Sequence, residues 1–450
     1  MASAKLTRTY GSAGNRKTYT LSVWVKFSGF AAATLANIGP FSGDNEFRLT
    51  RNASGTLEFY DYGSSAYKFR YRTERKLRDC SGWYHIVCAV DTTQGTAGNR
   101  VKIYVNGVQE TSFDVSTAPS QNLDTAWGVA NNYTLGSAEN GNYTDGLITH
   151  FNYVDGTALA PTSFGQSDSN GVWIPKPSPS VTYGTNGFFL KMNNSANMGL
   201  DSGGGSNNWT TSGTITQAKD TPSNVFATMN PLDNYWQGST FSNGNNTIVT
   251  GSTSQTFNTS TLLMTSGKYY VEAKPTVGSA TLDIGITGEP AVNASQTLAS
   301  RGTGYAYVSS GSVSNNGSSV GGTWSTYTNN DIIGIAINLD DEQGGLNKLY
   351  FSKNGVWQNG ADPSTPSSVT GVVGITKPSN LISESKMGAY AFAMNETWND
   401  NTRTVQWNFG NGYFGTTAVS SAGTNASNNG IFEYDVPTGF TALSTKGLNT

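Results

Sequence analysis

A chain of 450 residues is long enough for two domains of ordinary size, each with its own core. Its net charge of −3 and its low charged content of 13% exclude the basic footprint of a nucleic-acid binder. Aromatics at 12%, with many β-branched residues, exclude a disordered chain. No run approaches the ~18 apolar residues of a membrane span, so membrane insertion is not expected.

The first stretch, MASAKLTRTYGSAG, has no apolar segment of the signal-peptide kind, so synthesis in a cytoplasm is expected. Alternating apolar and polar residues then predict strands over Thr18–Phe27, Glu46–Thr50, Leu57–Tyr62, Ala66–Tyr71, Trp83–Asp91, Arg100–Val105, Gln109–Phe113, Asn132–Gly136, Gly146–Val154 and Gly187–Met192. Lys68, Arg70, Arg72, Arg75 and Lys76 lie close together and read as a solvated strand edge. Ala158–Gly165 is suited to one helical turn. Residues 1–200 are thus expected to form one domain. Residues 201–233, polar and Gly-rich yet holding Trp209, Phe226 and Met229, read as a strap lying on two domains.

A second domain is expected over 234–418. Its strands are predicted at Thr247–Thr250, Lys268–Ala273, Ala280–Thr287, Tyr305–Val308, Ile332–Asn338, Lys348–Lys353, Val356–Gln358, Met387–Ala393 and Val405–Phe409. The tail, 419–450, contains IFEYDVPTGFTAL, aromatic enough to dock. The two domains repeat one device. RVKIYVNGVQE (Arg100–Glu110) and KLYFSKNGVWQ (Lys348–Gln358) each set Asn-Gly between alternating runs, the signature of a type I′ hairpin. The predicted fold is all-β: two antiparallel sandwiches with a short docked C-terminal tail.

Cys80 and Cys88, eight residues apart along extended chain, are read as unbridged. A retaining glycosidase needs two carboxyl groups about 5–5.5 Å apart. The nearest approach to such a pair, Glu58 and Asp61, points to opposite strand faces, so no enzyme activity is expected. His85 and His150 fall inside strands with no acid or cysteine at ligand spacing and are read as packed strand residues.

Sugar rings stack on aromatic faces, and loops on a rigid sandwich commonly carry binding. Candidate ligand-binding residues are therefore loop aromatics: Trp127, Tyr133 and Tyr143 in the first domain, and Trp324, Tyr327, Trp357 and Trp398 in the second. Each also reads as an aromatic that closes the core at a strand end. Ser309–Asp331, polar around Trp324 and Tyr327, is the richest region. Trp24, Trp83 and Trp407 alternate within strands and are assigned to the core.

VWVK (Val23–Lys26), WYHIV (Trp83–Val87) and RVKIYVNGV (Arg100–Val108) resemble laminin-G-like, concanavalin A-like sandwich modules. GKYYVE (Gly267–Glu272), IGI (Ile284–Ile286), DIIGIAINLD (Asp331–Asp340) and LYFSKNGV (Leu349–Val356) resemble SPRY domains. Both resemblances imply concanavalin A-like jelly-roll sandwiches. Laminin-G-like modules sometimes bind calcium. The oxygen donors that would suit it are Asp340, Asp341 and Glu342, and Asp44, Asn45 and Glu46; such acids also simply keep a loop tip solvated. No other cofactor is implied.

The segments YGSAGNRKTYTLSVWVK, YGTNGFFLKMNNSANMGLDSGGGSNNW, TPSNVFATMNPLD and FEYDVPTGFTAL are similar to virion proteins of marine bacteriophages. That resemblance implies a location on the virion surface and other virion proteins as partners, and the aromatic-rich tail Phe432–Phe440 leads to the expectation of a homo-oligomer. The expected function is non-catalytic binding of a host-surface glycan or receptor, as in a tail tip or fibre-type adhesin. The alternative is a structural capsid knob, head fibre or decoration protein on the virion shell. No heptad run suggests a fibre shaft.

Overall fold

The computed structural model describes residues 4–39, 45–138, 141–236, 238–252, 255–278, 282–289, 296–340, 347–365, 367–383, 386–397 and 402–449. The chain divides into two compact units, Met1–Gln217 and Ala218–Thr450. Among the described residues each is built from sheets that are antiparallel but for one short parallel strand in the second unit, and the one α-helix is the short Thr445–Leu448. None of their helices is long and apolar enough to cross a membrane.

The first unit pairs an eight-stranded with a six-stranded sheet. Across the larger sheet the order is β10 (Phe113–Thr117), β6 (Ala66–Lys76), β5 (Thr56–Gly63), β4 (Glu46–Arg51), β3 (Ala33–Ile38), β11 (Asn132–Leu135), β1 (Lys5–Thr9) and β16 (Thr210–Ser212). The smaller sheet runs β15 (Phe188–Leu190), β12 (Gly146–Asp155), β2 (Thr18–Phe27), β7 (Tyr84–Asp91), β8 (Val101–Val105) and β9 (Val108–Gln109). β13 (Gly165–Ser167) and β14 (Trp173–Pro175) form a separate hairpin. Alternation decides which residues enter the core. Leu6, Leu135, Ala36, Leu49, Phe59 and Tyr71 lie side by side on successive strands, and all are buried between the sheets.

The second unit has a seven-stranded sheet: β17 (Met229–Trp236), β20 (Thr256–Ser260), β32 (Ala391–Glu396), β22 (Leu282–Thr287), β23 (Gly304–Val308), β24 (Ser312–Asn315) and β25 (Ser318–Ser319). Its other sheet has nine strands: β18 (Thr240–Ser242), β19 (Thr247–Val249), β33 (Thr404–Asn408), β21 (Lys268–Val277), β26 (Ile333–Asn338), β27 (Asn347–Lys353) and β28 (Val356–Trp357), with β29 (Val373–Ile375) on β27 and β36 (Thr441–Ala442) parallel to β21. The hairpins β30–β31 (Ile382–Ser383, Lys386–Met387) and β34–β35 (Tyr413–Phe414, Thr417–Ala418) complete it.

Several expectations change. Residues 201–233 are not a separate strap: 201–217 belong to the first unit and 218–233 to the second. β16 pairs with β1, Trp209 enters the first core, and Phe226 and Met229 are buried in the second unit. The aromatic residues, not the glycines, decide the fate of this stretch. The tail is integral too, with Phe432, Val436 and Phe440 buried. The basic strand β6 is not an edge, because β10 pairs outside it. Its arginines are paired with acids: Arg70 with Glu58 (2.5 Å), Arg72 with Asp114 (2.7 Å) and Arg75 with Glu110 (2.6 Å). The helical turn in Ala158–Gly165 is a 3-10 turn, Pro161–Ser163. Cys80 and Cys88 are buried free thiols.

Candidate functional site

Most loop aromatics named from sequence point inward. Trp127 is fully buried in the first core, and Tyr133 beside it donates to the Val129 carbonyl at 2.6 Å. In the second unit the Trp324 indole donates to the Gly321 carbonyl at 2.6 Å, with its ring against Tyr307 and Phe351. The Tyr327 hydroxyl donates to the Leu282 carbonyl at 2.6 Å. Both rings belong to the core, so neither offers a face to a sugar. A loop carbonyl accepts from Trp324 and a carbonyl of strand β22 from Tyr327, which removes the cost of burying the one polar atom of each side chain. The polar stretch between Ser309 and Ser319 is itself a strand pair, β24–β25, turning at Asn316-Gly317. Tyr143 and Trp357 are half-buried, and Trp357 packs against Tyr270 and Tyr350. Trp398 lies outside the described residues.

The calcium candidates are likewise not assembled. Asp340 accepts the backbone N–H of Gly267 at 2.8 Å, and Asp341, Glu342 and Asp44 lie outside the described residues. Glu46 is buried against Arg48 at 2.5 Å. Among the described residues no three His, Cys, Asp or Glu side chains converge as metal ligands.

His85 sits in a polar chain that resembles a catalytic dyad but has the wrong tautomer. The indole of Trp173 can only donate, and it donates to Nδ1 of His85 at 3.0 Å. Nε2 therefore carries the proton and donates to the Ser22 hydroxyl at 2.9 Å. An imidazole in this state cannot take a proton from that serine. Burial holds it neutral, with its pKa pushed down to about 3, and its ring stacks on Trp24 at 4.5 Å. His150, held to about 4 by burial, adopts φ +47° at a bulge in β12. Glu58 and Asp61 do face opposite ways: Glu58 pairs with Arg70, whereas Asp61 turns into the core and accepts the Ala126 N–H at 2.5 Å. Burial pushes the Asp61 carboxyl up to about 6.

The eight-stranded sheet offers a different surface. One row of residues crosses every strand on the face away from the core: Thr210, Thr7, Thr134, Asn37, Arg48, Tyr60, Arg70 and Thr117. The neighbouring row is the apolar one already described. Arg48 binds Glu46 and donates to Asn37 Oδ1 at 3.2 Å, and the Tyr60 hydroxyl donates to Glu46 at 2.7 Å. Burial raises the Glu46 pKa, while Tyr60 and Arg48 oppose the rise. Asn52 donates to Glu58 at 2.9 Å from the other side. Tyr67 stands perpendicular to Tyr60 (5.5 Å) and Tyr62 (5.1 Å), with the Arg70 guanidinium 4.4 Å above its ring. It remains 41% exposed. At the other end of the sheet a polar groove of about 460 Å³ opens among Lys5, Thr7, Thr9, Asn37, Thr134 and Thr210.

This surface was missed because it lies on strands, not loops. The signal was present in EFYDY and YKFRYR, where the polar-face positions hold Tyr and Arg in place of small residues. Among the described residues the outer faces of the other three large sheets carry apolar clusters, centred on Phe164 and Phe189, on Leu298 and Phe257, and on Phe432 and Phe440.

No curated protein matches the sequence. Solved structures similar to the chain include the SPRY domain of human HERC1, at 12% identity over 40% of this chain and 96% of that one, with a TM-score of 0.29. A heptameric SAP-like pentraxin from Limulus polyphemus follows, at 14% identity over 35% and 71%, TM-score 0.27. Domain 4 of the arabinanase AbnA from Geobacillus stearothermophilus, solved with arabinotriose, is 21% identical over 35% and 68%, TM-score 0.26. These likenesses are too slight to carry a functional reading. Residues 3–163 match a laminin-G family described as the concanavalin A-like lectin/glucanases superfamily, and together with the stacked antiparallel sheets this makes the first unit a concanavalin A-like domain.

Proposed function

We propose that the protein is a non-catalytic virion surface protein whose first unit binds a host-surface glycan on the outer face of its eight-stranded sheet. The observation that carries this reading is the polar row on the face away from the core, which crosses all eight strands; Thr7, Thr134, Thr210, Arg70 and Thr117 reach solvent, whereas Asn37, Arg48 and Tyr60 between them are buried. Rigid strands hold these groups in fixed register, and Tyr67 stays 41% exposed with the Arg70 guanidinium over one face of its ring. Sugars are recognised by such combinations of aromatic surface and fixed polar groups. Glu46 and Glu58 each lie against an arginine, Arg48 and Arg70. The virion location, and assembly with other virion proteins, are supported by the resemblance of YGSAGNRKTYTLSVWVK and FEYDVPTGFTAL to marine phage virion proteins.

Adsorption of the purified full chain to host cells and a glycan array tests this. Stacking on an aromatic is worth on the order of 1–3 kcal/mol, judging from nucleobases, so Tyr67→Ala should weaken binding roughly tenfold. Protein that coats intact particles but binds neither cells nor glycans would decide for a decoration role.

A further inference from the structure

We infer that Asn243 is a site of spontaneous covalent modification: among the described residues it is the asparagine of an Asn-Gly pair that the fold protects least from rearrangement to aspartate and isoaspartate. The chemistry needs no reagent but water. The backbone nitrogen of the following glycine attacks the asparagine Cγ and gives its proton to solvent. The side-chain nitrogen takes up a proton and leaves as ammonia, which closes a cyclic imide. Water then opens the imide at either carbonyl, giving aspartate or, with one extra methylene in the backbone, isoaspartate. Glycine favours the attack because no Cβ crowds its nitrogen. In a folded chain two conditions decide which pair reacts. The side chain must be able to swing over its own backbone, and the glycine N–H must not be held by another acceptor.

The sequence holds ten Asn-Gly pairs, and in one of them, Asn140-Gly141, the asparagine lies outside the described residues. In four others the side-chain Oδ1 anchors a backbone N–H from a distant segment. Asn106 holds that of His85 at 2.7 Å, Asn354 that of Ile332 at 2.8 Å, Asn359 that of Thr323 at 2.6 Å and Asn411 that of Asp220 at 3.1 Å. Asn186 and Asn429 are buried, their Nδ2 atoms donating to the Ser12 carbonyl and to Thr441 Oγ1. Asn170 and Asn316 are exposed, but there the nucleophile is tied. Gly171 donates its N–H to the Asp168 carbonyl at 3.1 Å, and Gly317 to the Ala299 carbonyl at 3.0 Å.

Asn243 meets both conditions. It lies exposed in the turn that joins β18 to β19. Its Oδ1 and the Gly244 N–H have no hydrogen-bond partner among the described residues. Its side chain makes one bond, from Nδ2 to the Thr247 hydroxyl at 3.0 Å. A hydroxyl rotates, so this contact restrains the amide less than a fixed backbone group does, and it sets a proton donor beside the nitrogen that must leave. Each event turns a neutral amide into a carboxylate at this hairpin tip, on a chain whose net charge is only −3.

The test ages the purified full chain in neutral buffer and in mild alkali, native and in urea. Mass spectrometry of the digested chain reads the amide-to-acid conversion at each asparagine, and an isoaspartyl methyltransferase marks the isoaspartate. In the native chain Asn243 should convert first, ahead of Asn170 and Asn316 and about tenfold ahead of Asn106 and Asn354, the margin one intact hydrogen bond supplies. Alkali should speed the reaction, since the attacking nitrogen must lose its proton. In urea the rates at these positions should converge. Asn243→Gln, which keeps the amide but lengthens the path to the ring, should abolish conversion at this position and leave the others as they were. A native order led by Asn170, Asn316 or either hairpin asparagine would overturn the assignment. An Asn243 lead of equal size in urea would do the same, because local sequence and not the fold would then set it.

Discussion

Two sheet faces in this molecule start from the same geometry and end differently. On the eight-stranded sheet of the first unit, the row facing away from the core holds Asn37, Arg48, Tyr60 and Arg70, the first three buried in polar contacts with one another and with Glu46. On the nine-stranded sheet of the second unit, the corresponding row is Tyr270, Ala336 and Tyr350, and the tail seals it with Phe432, Val436 and Phe440. Each face also buries a glutamate. Glu46 meets the Arg48 guanidinium, so two charges are buried as a pair. Glu272 instead accepts four uncharged donors: the N–H groups of Glu433 and Tyr434 at 2.9 Å, Asn408 Nδ2 and the Tyr270 hydroxyl at 3.1 Å. Two of those donors are tail backbone, so this carboxylate fastens the tail to β21. A sheet face becomes core when its row is apolar and spare chain is present to cover it. It stays a polar face when its residues pair with one another and with neighbouring acids.

The sharpest way to break this comparison is to truncate one aromatic on each face. Phe432→Ala removes a ring that is 1% exposed and should cost the second unit about 3–5 kcal/mol. Tyr67→Ala, at an exposed site, should shift the first unit by less than about 0.5 kcal/mol. Calorimetry of the full chain should show the second unit's transition falling by many degrees and the first nearly unmoved. If Phe432→Ala leaves both transitions in place, the tail is not part of the second core.

Acidification should separate the units next. Both histidines lie in the first unit and are buried neutral, with pKa values near 3 and 4 against about 6.5 unfolded. The unfolded chain therefore takes up their protons first, and stability falls as the pH drops below 6.5, by about 2 kcal/mol per histidine at pH 5. Asp61, raised to about 6, has the opposite sign and offsets part of this. In the second unit burial raises Asp283 to about 7, aided by Glu396 and opposed by the Ala299 N–H, and its Oδ2 has no hydrogen-bond partner among the described residues. Here the native state takes up the proton first, so stability rises as the pH falls from about 7 toward 4. Burial also raises Glu272 to about 7 against the opposing pull of its four donors, so it acts in the same sense as Asp283. Between pH 7 and 5 the first transition should drop and the second should climb. Parallel shifts would show that these buried groups do not govern the difference.

Much of this architecture was legible in the sequence, for a physical reason. Strands with a clean period of two, such as Val101–Val105, coincide with the observed elements because alternation and burial carry the same information. Strands without an apolar alternation were missed, among them β1, β3 and β17, since their pairing is set by partners far along the chain. The site was less legible. Whether Trp324 faces solvent depends on the Gly321 carbonyl and on Phe351. Neither contact leaves a trace in local composition. The Tyr67 surface depends on Glu58 lying beside Arg70, a register fact that a single strand does not contain.

The smallest expected effect concerns the feature the two units share. In each Asn-Gly hairpin the asparagine holds the next strand by two bonds to one residue. Asn106 donates its N–H to the His85 carbonyl at 2.8 Å and accepts the His85 N–H on Oδ1 at 2.7 Å. Asn354 does the same with Ile332, at 2.8 Å and 2.8 Å. The backbones agree as well, with φ of +50° and +82° at Asn106 and Gly107, and +48° and +79° at Asn354 and Gly355. An aromatic lies close over each glycine, so that an added Cβ would come 3.2 Å from the Trp173 ring or 2.6 Å from the Tyr434 ring. Asn→Ala at either position loses the side-chain acceptor and strains a positive φ, which should cost about 1–2 kcal/mol in its own unit and nothing in the other. Asn354 also donates to Asp331 at 2.7 Å, an exposed contact that adds only a few tenths of a kcal/mol. The two substitutions should therefore lower the two transitions by similar amounts. If Asn354→Ala proves severe while Asn106→Ala is silent, the hairpins share a conformation but not a role, and the repeat has no common energetic basis.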